Sequence, residues 1–305
     1  FPLTMEGAIG DSEEGDDDQP KYYGDDHLWI ILSITQYLKE TGNMDLLNEN
    51  IPYYGKDRNG KILESGSILD HMERAIRFTR SNVGKHGLPL LGYADWNDSV
   101  NLRAGAESLF VANLYGKALL ELISLFDFLG DESKKKEYTA YYNEMKERFI
   151  ACSWDGEWFV RYFDYNGKPL GSNKNTAGKI YTNGQSWAVL SGFAPPDKAR
   201  IALDSVYKYL NTSKGIKLSW PVYHHYDPAT GGITTYPRGA KENGGLFMHT
   251  NPWVMIAETV LGNGNRAYEY YAQINPAQKN EIIDEFEVEP YVYPQNVLSD
   301  EHPQF

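Results

Sequence analysis

One cysteine, Cys152, stands in 305 residues, so no disulfide can form within the chain. It reads as a small apolar side chain near a helix end. Positive charge is also scarce. The 29 Lys and Arg against 42 Asp and Glu leave a formal net charge of −13 at pH 7. Nucleic-acid phosphates demand a basic surface, so this balance argues against a nucleic-acid partner, although a local basic pocket for a small anion stays possible. No apolar run approaches the roughly 18 residues of a membrane span, and no signal peptide is visible. These absences lead to the expectation of no membrane partner and a reducing, cytoplasmic setting. The chain carries no GxxxxGK[ST], no Rossmann fingerprint, no HExxH and no GxSxG. It shows no repeat with the period of TPR or ankyrin arrays.

What is abundant is aromatic: 23 Tyr, 7 Trp and 12 Phe make up 14% of the chain. Tyr and Trp join a flat apolar face to a hydrogen-bonding edge, which suits a sugar, although most will be ordinary core or surface residues. Hydrophobic residues at 41% define a folded chain, long enough for one large domain or two small ones.

Periodicity divides the chain into helices with short connections. A helix opened by Asp25 or Asp26 carries Leu28, Ile31, Leu32, Thr35 and Leu38 on one face and stops at Thr41-Gly42-Asn43. Others are expected at 67–80, 106–130, 132–151, 183–192, 196–211, 264–273 and 276–284, with one begun by Asn251-Pro252-Trp253. Residues 155–163 alternate like a strand, and Asn166-Gly167 is placed to close a hairpin. Residues 215–247 read as a long loop. Helical hairpins in this number suggest a toroid, an (α/α) barrel with its loops gathered around a cleft, though periodicity alone does not separate it from a plain bundle. The acidic run Asp11–Asp18 reads as a solvated loop. An EF-hand calcium site is disfavoured there by ligand order and the missing terminal Glu.

Chemistry concentrates in Gly92-Tyr93-Ala94-Asp95-Trp96-Asn97-Asp98-Ser99-Val100-Asn101. Two carboxylates, an indole, two amides and a hydroxyl fall in one connection between helices, the usual setting for catalytic groups. An indole lowers the local dielectric and raises a neighbouring acid's pKa, so the acid can hold a proton near neutral pH. The competing reading makes Asp95 and Asp98 turn and cap residues. A second stretch, Lys241-Glu242-Asn243-Gly244-Gly245 through His249-Thr250, pairs glycines that let backbone approach a ligand with polar Glu242 and His249. Its alternative is a tight turn. His224-His225 are sequence neighbours in a loop, and a shared metal there is disfavoured.

Five stretches occur in a familiar order: Tyr23-Gly24-Asp25-Asp26-His27-Leu28-Trp29, Ala94-Asp95-Trp96-Asn97-Asp98, Gly184-Gln185-Ser186-Trp187-Ala188, Lys241-Glu242-Asn243-Gly244-Gly245 and Glu289-Pro290-Tyr291-Val292-Tyr293. Together they resemble the catalytic domain of the cellobiose/chitobiose phosphorylase family of inverting glycoside phosphorylases. The resemblance implies a mainly α chain, an (α/α)6 barrel with a small β-hairpin and long loops. It further implies phosphorolysis of a β-linked gluco-configured disaccharide to an α-sugar 1-phosphate and a free sugar. No cofactor or metal is implied, inorganic phosphate being the co-substrate. Asp98 corresponds to the general acid. Trp96, Asn97, Gln185 and Glu242 fall to the sugar, and His249 and Thr250 to phosphate. One proton-donating Asp suffices when phosphate replaces the activated water of an inverting hydrolase.

The resemblance also has gaps. Family members carry an upstream Gly-Phe-Arg-Asp-like motif, and a downstream Thr-Gly segment completes their phosphate site; neither is found here. Residues 1–20 are then expected to form an acidic edge and 21–305 an incomplete catalytic barrel portion. Remaining segments or a companion chain would complete it, with a homodimer as the complete assembly. An inverting β-glycoside hydrolase on the same barrel and a non-catalytic segment of a split enzyme are the alternatives.

Overall fold

The computed structural model describes residues 22–55 and 58–305. The acidic run and the expectation attached to it lie outside the described residues. The chain divides into two compact units. The first runs to Asp98 and takes in Leu102–Cys152 and Phe163–Lys168; the second comprises Ser99–Asn101, Ser153–Tyr162 and Pro169–Phe305.

The first unit holds α1 (Asp26–Thr41), α2 (Ile68–Ser81), α3 (Leu109–Leu129) and α4 (Glu132–Cys152). Local chemistry sets their ends. Gly42 takes the left-handed conformation, φ 68°, and its N–H closes α1 on the Leu38 carbonyl. Ser67 and Ser108 cap α2 and α3, each hydroxyl accepting a backbone N–H three residues on. Gly130, φ 72°, ends α3, and the Asp131 carboxylate accepts the Lys134 N–H at 3.0 Å to start α4. Asp25 occupies the N-cap position of α1 without capping it, because its carboxylate turns to the Trp29 indole.

α3 packs along α4 and against α1. Its own length and composition would suit a membrane crossing, which corrects the expectation that no segment approaches that size. Lys117 and Glu121 interrupt the apolar run in sequence but do not outweigh it over the whole helix. Its apolar character instead reflects its place in the core, where most of its residues from Leu109 to Phe126 are buried. Leu114, Leu119, Leu122 and Phe126 are closed off from solvent, and α4 adds Met145 and Phe149.

The second unit is built on α5 (Thr182–Leu190), α6 (Pro196–Leu210), α7 (Asn251–Val260) and α8 (Gly264–Ile274). α5 is buried from Thr182 to Val189 and packs against α6 and α7. Trp158, Ile180, Val206, Leu210, Ile216, Val254 and Tyr270 form its largest described cluster. The expected helix 276–284 is broken into α9 (Pro276–Lys279), a 3-10 turn and α10 (Ile283–Phe286), none of α10 being buried. A helix without an apolar stripe has nothing to hold it together.

The 155–163 stretch is a strand only at Tyr162–Phe163. Gly156, φ 96°, turns the chain earlier, so Asp155 N–H reaches Trp158 O at 3.0 Å and Trp154 bridges Phe159. The turn at Asn166-Gly167 forms as expected, with Gly167 N–H donating to Asp164 O at 2.8 Å. The long 215–247 connection carries short antiparallel pairs, Gly215–Ile216 with Asn211–Thr212 and Ser219–Trp220 with Ile180–Tyr181.

Candidate active site

Two glycines bring the chemistry of the first unit together. A Cβ on Gly24 would sit 2.6 Å from the Leu91 carbonyl oxygen, and one on Gly92, φ 74°, 2.3 Å from that of Tyr22. Without those atoms the segment before α1 lies directly on the loop. Gly24 N–H donates to Ala94 O at 2.9 Å and Tyr93 N–H to Tyr22 O at 2.8 Å. Four carboxyls thereby share one neighbourhood: Asp25 and Asp26 from the start of α1, Asp95 and Asp98 from the loop.

Their surroundings separate them. Asp95 is buried. Its carboxylate accepts the Ser108 hydroxyl at 2.6 Å and the Asn97 N–H at 3.0 Å, so it ties the loop to the cap of α3. The turn reading therefore describes Asp95. Asp25 is buried too, accepts the Trp29 Nε1–H at 2.8 Å and is held well above the usual carboxylate range, by burial first and the Asp95 charge second. Asp98 stays exposed to solvent. Crowding by protein, then the charge of Asp95, still raises its pKa. Asp26 is raised by burial and next by Asp98. Tyr23 is likewise raised, by burial and then Asp98, and its ring meets that of Tyr93 edge-on at 5.6 Å. An exposed acid that holds its proton to higher pH than usual can serve as a proton donor. Trp96, two residues before it, is half-buried, whereas Asn97 is fully buried.

In the second unit Glu242 is buried, and its Oε1 accepts the Ser99 N–H at 3.3 Å, the amide immediately after Asp98 in the chain. Asn243 clamps the surrounding loops: its Oδ1 accepts Tyr223 N–H at 2.7 Å, and its Nδ2 donates to Tyr223 O and Tyr236 O, both at 2.9 Å. The two following glycines serve close packing of protein on protein. A Cβ on Gly244 would lie 2.4 Å from Val222 Cγ1, and one on Gly245 2.3 Å from Asn296 Oδ1. The tight-turn reading accounts for them.

Gln185 lies fully inside α5, and its amide is committed to backbone. Oε1 accepts Phe159 N–H at 2.8 Å, and Nε2 donates to Phe159 O at 2.9 Å and Tyr181 O at 3.0 Å. That geometry ties α5 to the loop before it. Thr250 is buried as well, and its hydroxyl donates to Phe247 O at 3.0 Å. His249 remains exposed. Its pKa is lowered by partial burial, so at neutral pH it is an uncharged imidazole. Its ring lies 4.8 Å from that of Trp253, which meets Trp187 edge-on at 5.3 Å. His224 and His225 hold their rings 6.4 Å apart. Among the described residues no group of three His, Cys, Asp or Glu is arranged to hold a metal ion.

Asp25 and Asp26, which periodicity reads as helix caps, join the neighbourhood of Asp95 and Asp98. Two adjacent Asp at the start of a helix whose fourth residue is Trp is the signal that was present, but only the Gly24–Ala94 pairing gives it meaning.

These features define a mainly helical domain carrying a loop-borne acid. The chain belongs to the glycosyl hydrolase 94 superfamily: residues 9–305 match that family's catalytic domain. Among its relatives, N,N'-diacetylchitobiose phosphorylase of Vibrio proteolyticus is 35% identical over 293 residues, 93% of this chain and 36% of that protein. Solabiose phosphorylase of Paenibacillus borealis is 32% identical over 278 residues, 90% of this chain and 35% of that protein. The chain thus spans about a third of the length of these curated relatives. Among solved structures, the GH78 family rhamnosidase of Bacillus sp. GL1 superposes with a TM-score of 0.54 over 81% of this chain and 21% of that one, at 15% identity, a likeness of fold.

Proposed function

We propose that the protein carrying this chain is an inverting glycoside phosphorylase, cleaving a β-linked gluco-configured disaccharide with inorganic phosphate. The observation that carries the reading is Asp98, exposed yet held above the ordinary carboxylate range, in a chain whose relatives include phosphorylases of chitobiose and solabiose. In this mechanism Asp98 gives its proton to the glycosidic oxygen as the C1–O bond breaks. Phosphate attacks C1 from the opposite face. The β-linkage becomes an α-sugar 1-phosphate, and the second sugar leaves with the proton. Binding energy holds phosphate in line for that attack, and no carboxylate base is required.

Trp96 is assigned to the sugar as a flat apolar face. His249 is assigned to phosphate as a neutral N–H donor, which suits an anion less well than a permanent charge would. Glu242 is assigned to fixing the backbone that leaves Asp98, and Asn97 and Gln185 to holding the scaffold. Thr250 is given no contact with phosphate. The reading extends to an (α/α)6 barrel, a homodimer in the whole enzyme, no cofactor and a cytoplasmic setting.

The test is incubation with N,N'-diacetylchitobiose, cellobiose and laminaribiose, with and without inorganic phosphate, followed by detection of sugar 1-phosphate. Phosphate-dependent product supports phosphorolysis. Equal release of free sugar without phosphate would instead mark an inverting hydrolase.

A further inference from the structure

A cavity rich in arginine lies in the first unit, on residues unconnected with Asp98 or His249. Toward the C-terminal ends of α2 and α4, Arg77, Arg80, Ser81, Glu144 and Arg148 line an open cavity of about 490 Å³. Three arginines and one carboxylate face it, in a chain where acids outnumber bases 42 to 29. Helix C-termini favour cations through the macrodipole, which explains a basic residue there but not a surplus.

The local charges reduce that surplus without removing it. Glu144 is the one acid in the lining, shared between Arg148 and Arg80, the latter at 3.4 Å. Arg77 lies 3.5 Å from Asp70 and 3.9 Å from Glu73, and both of those acids are engaged elsewhere. Asp70 accepts the Tyr53 hydroxyl at 2.6 Å and Arg74 Nε–H at 3.0 Å, and Glu73 pairs with Lys134. Two of the guanidinium groups are held in place. Arg80 lies 4.0 Å over the Tyr141 ring, and Arg148 donates to Gly87 O at 3.0 Å. Behind them on α3 the Tyr115 hydroxyl is buried with no hydrogen-bond partner, and Arg80, Glu144 and Arg148 are among the charges that act on it.

We propose that this cavity binds a phosphate monoester dianion the size of a hexose phosphate. Three guanidinium groups face the phosphoryl position, and one positive charge remains in excess after the neighbouring ion pairs, Arg74 with Glu64 and Lys134 with Glu73 among them, are counted. Planar guanidinium forks suit phosphoryl oxygens. The volume exceeds what inorganic phosphate needs and lies in the range of small-molecule sites. Glu144 supplies an acceptor for sugar hydroxyls. The site stands on the cavity alone and does not require the phosphorolysis reading to hold.

The experiment is calorimetric titration of the chain carrying His249→Ala, which removes the other proposed phosphate contact, with α-glucose 1-phosphate, inorganic phosphate and glucose. Saturable binding of the sugar phosphate is expected, with glucose silent. Adding Arg77→Gln and Arg80→Gln, both on solvent-exposed side chains, should weaken it about tenfold or more. Inorganic phosphate binding as tightly as the sugar phosphate would overturn the assignment to a monoester and identify free phosphate as the occupant. Ligand protection of Arg77 and Arg80 from phenylglyoxal, with Arg103 and Arg238 labelled as before, gives a readout that needs no variant. Absence of binding by either phosphate, or unchanged affinity after loss of both arginines, would overturn the proposal.

Discussion

Asp98 and Asp25 are both carboxyls with raised pKa, yet they should answer mutation differently. Asp98→Asn keeps the side-chain shape and loses the transferable proton. We expect a loss of about a hundredfold or more in kcat on an unactivated disaccharide with phosphate, and a smaller loss when the leaving group is already acidic. Steady-state rates on the two substrate types decide it. Asp25 is sealed from solvent, so its raised pKa is a stability statement. The folded state binds its proton more tightly than the unfolded chain, whose carboxyl titrates near 3.9. As pH rises from that value toward neutrality the folded state holds more protons than the unfolded one, so stability declines. Asp25→Asn lacks that slope and can still accept the Trp29 indole N–H. Its melting temperature relative to the parent should therefore climb between about pH 4 and 7. A constant offset across that range would contradict the assignment.

Gln185 belongs to the same scale. Gln185→Ala should cost about 3 kcal/mol, because the Phe159 amide and carbonyl lose their buried partner. Urea unfolding measures this. A large rise in KM for the disaccharide with unchanged stability would restore the sugar-contact reading.

At the scale of elements, the caps allow a direct comparison. Ser67 caps α2 at a half-buried position, and Ser67→Ala should cost about 1 kcal/mol. Ser108 caps α3 and also donates its hydroxyl to the Asp95 carboxylate. Ser108→Ala leaves that buried carboxylate without the donor and should cost about 3 kcal/mol, with a loss of activity as the loop bearing Asp98 loosens. Chemical denaturation of the two variants side by side reads the difference. Gly24 is the other device at this scale. It joins the segment before α1 to the loop bearing Asp95 and Asp98 by close approach, which places the pair Asp25-Asp26 beside those carboxyls.

At the scale of the whole molecule, α3 decides how the chain meets its surroundings. Its composition suits a lipid core, but most of its apolar side chains are occupied by protein, Phe128 and Leu129 at its end being exposed, and the chain carries −13 net charge. We expect the folded chain to stay in the supernatant when sedimented with neutral phosphatidylcholine vesicles. Pelleting of the folded protein would show that the buried face of α3 can be released.

Much of this was legible in the sequence for a physical reason. Helix ends are set by groups a few residues apart, so Gly42 stopping α1, Ser67 opening α2 and Pro252 in the first turn of α7 could be read along the chain. Family membership was legible too, because it rests on five motifs in order. What only the tertiary structure decided are pairings that no local signal encodes. Glu242 reaches an amide 143 positions away, and Gln185 spends its amide on a loop 26 positions back. Asp25 acquires its raised pKa from burial and from Asp95. Residue type says that a carboxylate or an amide must find a partner when buried. Packing alone decides whether that partner is a ligand or the protein's own backbone, and here it separated Asp98, open to solvent, from Asp95, Gln185 and Thr250, which are taken up by the fold.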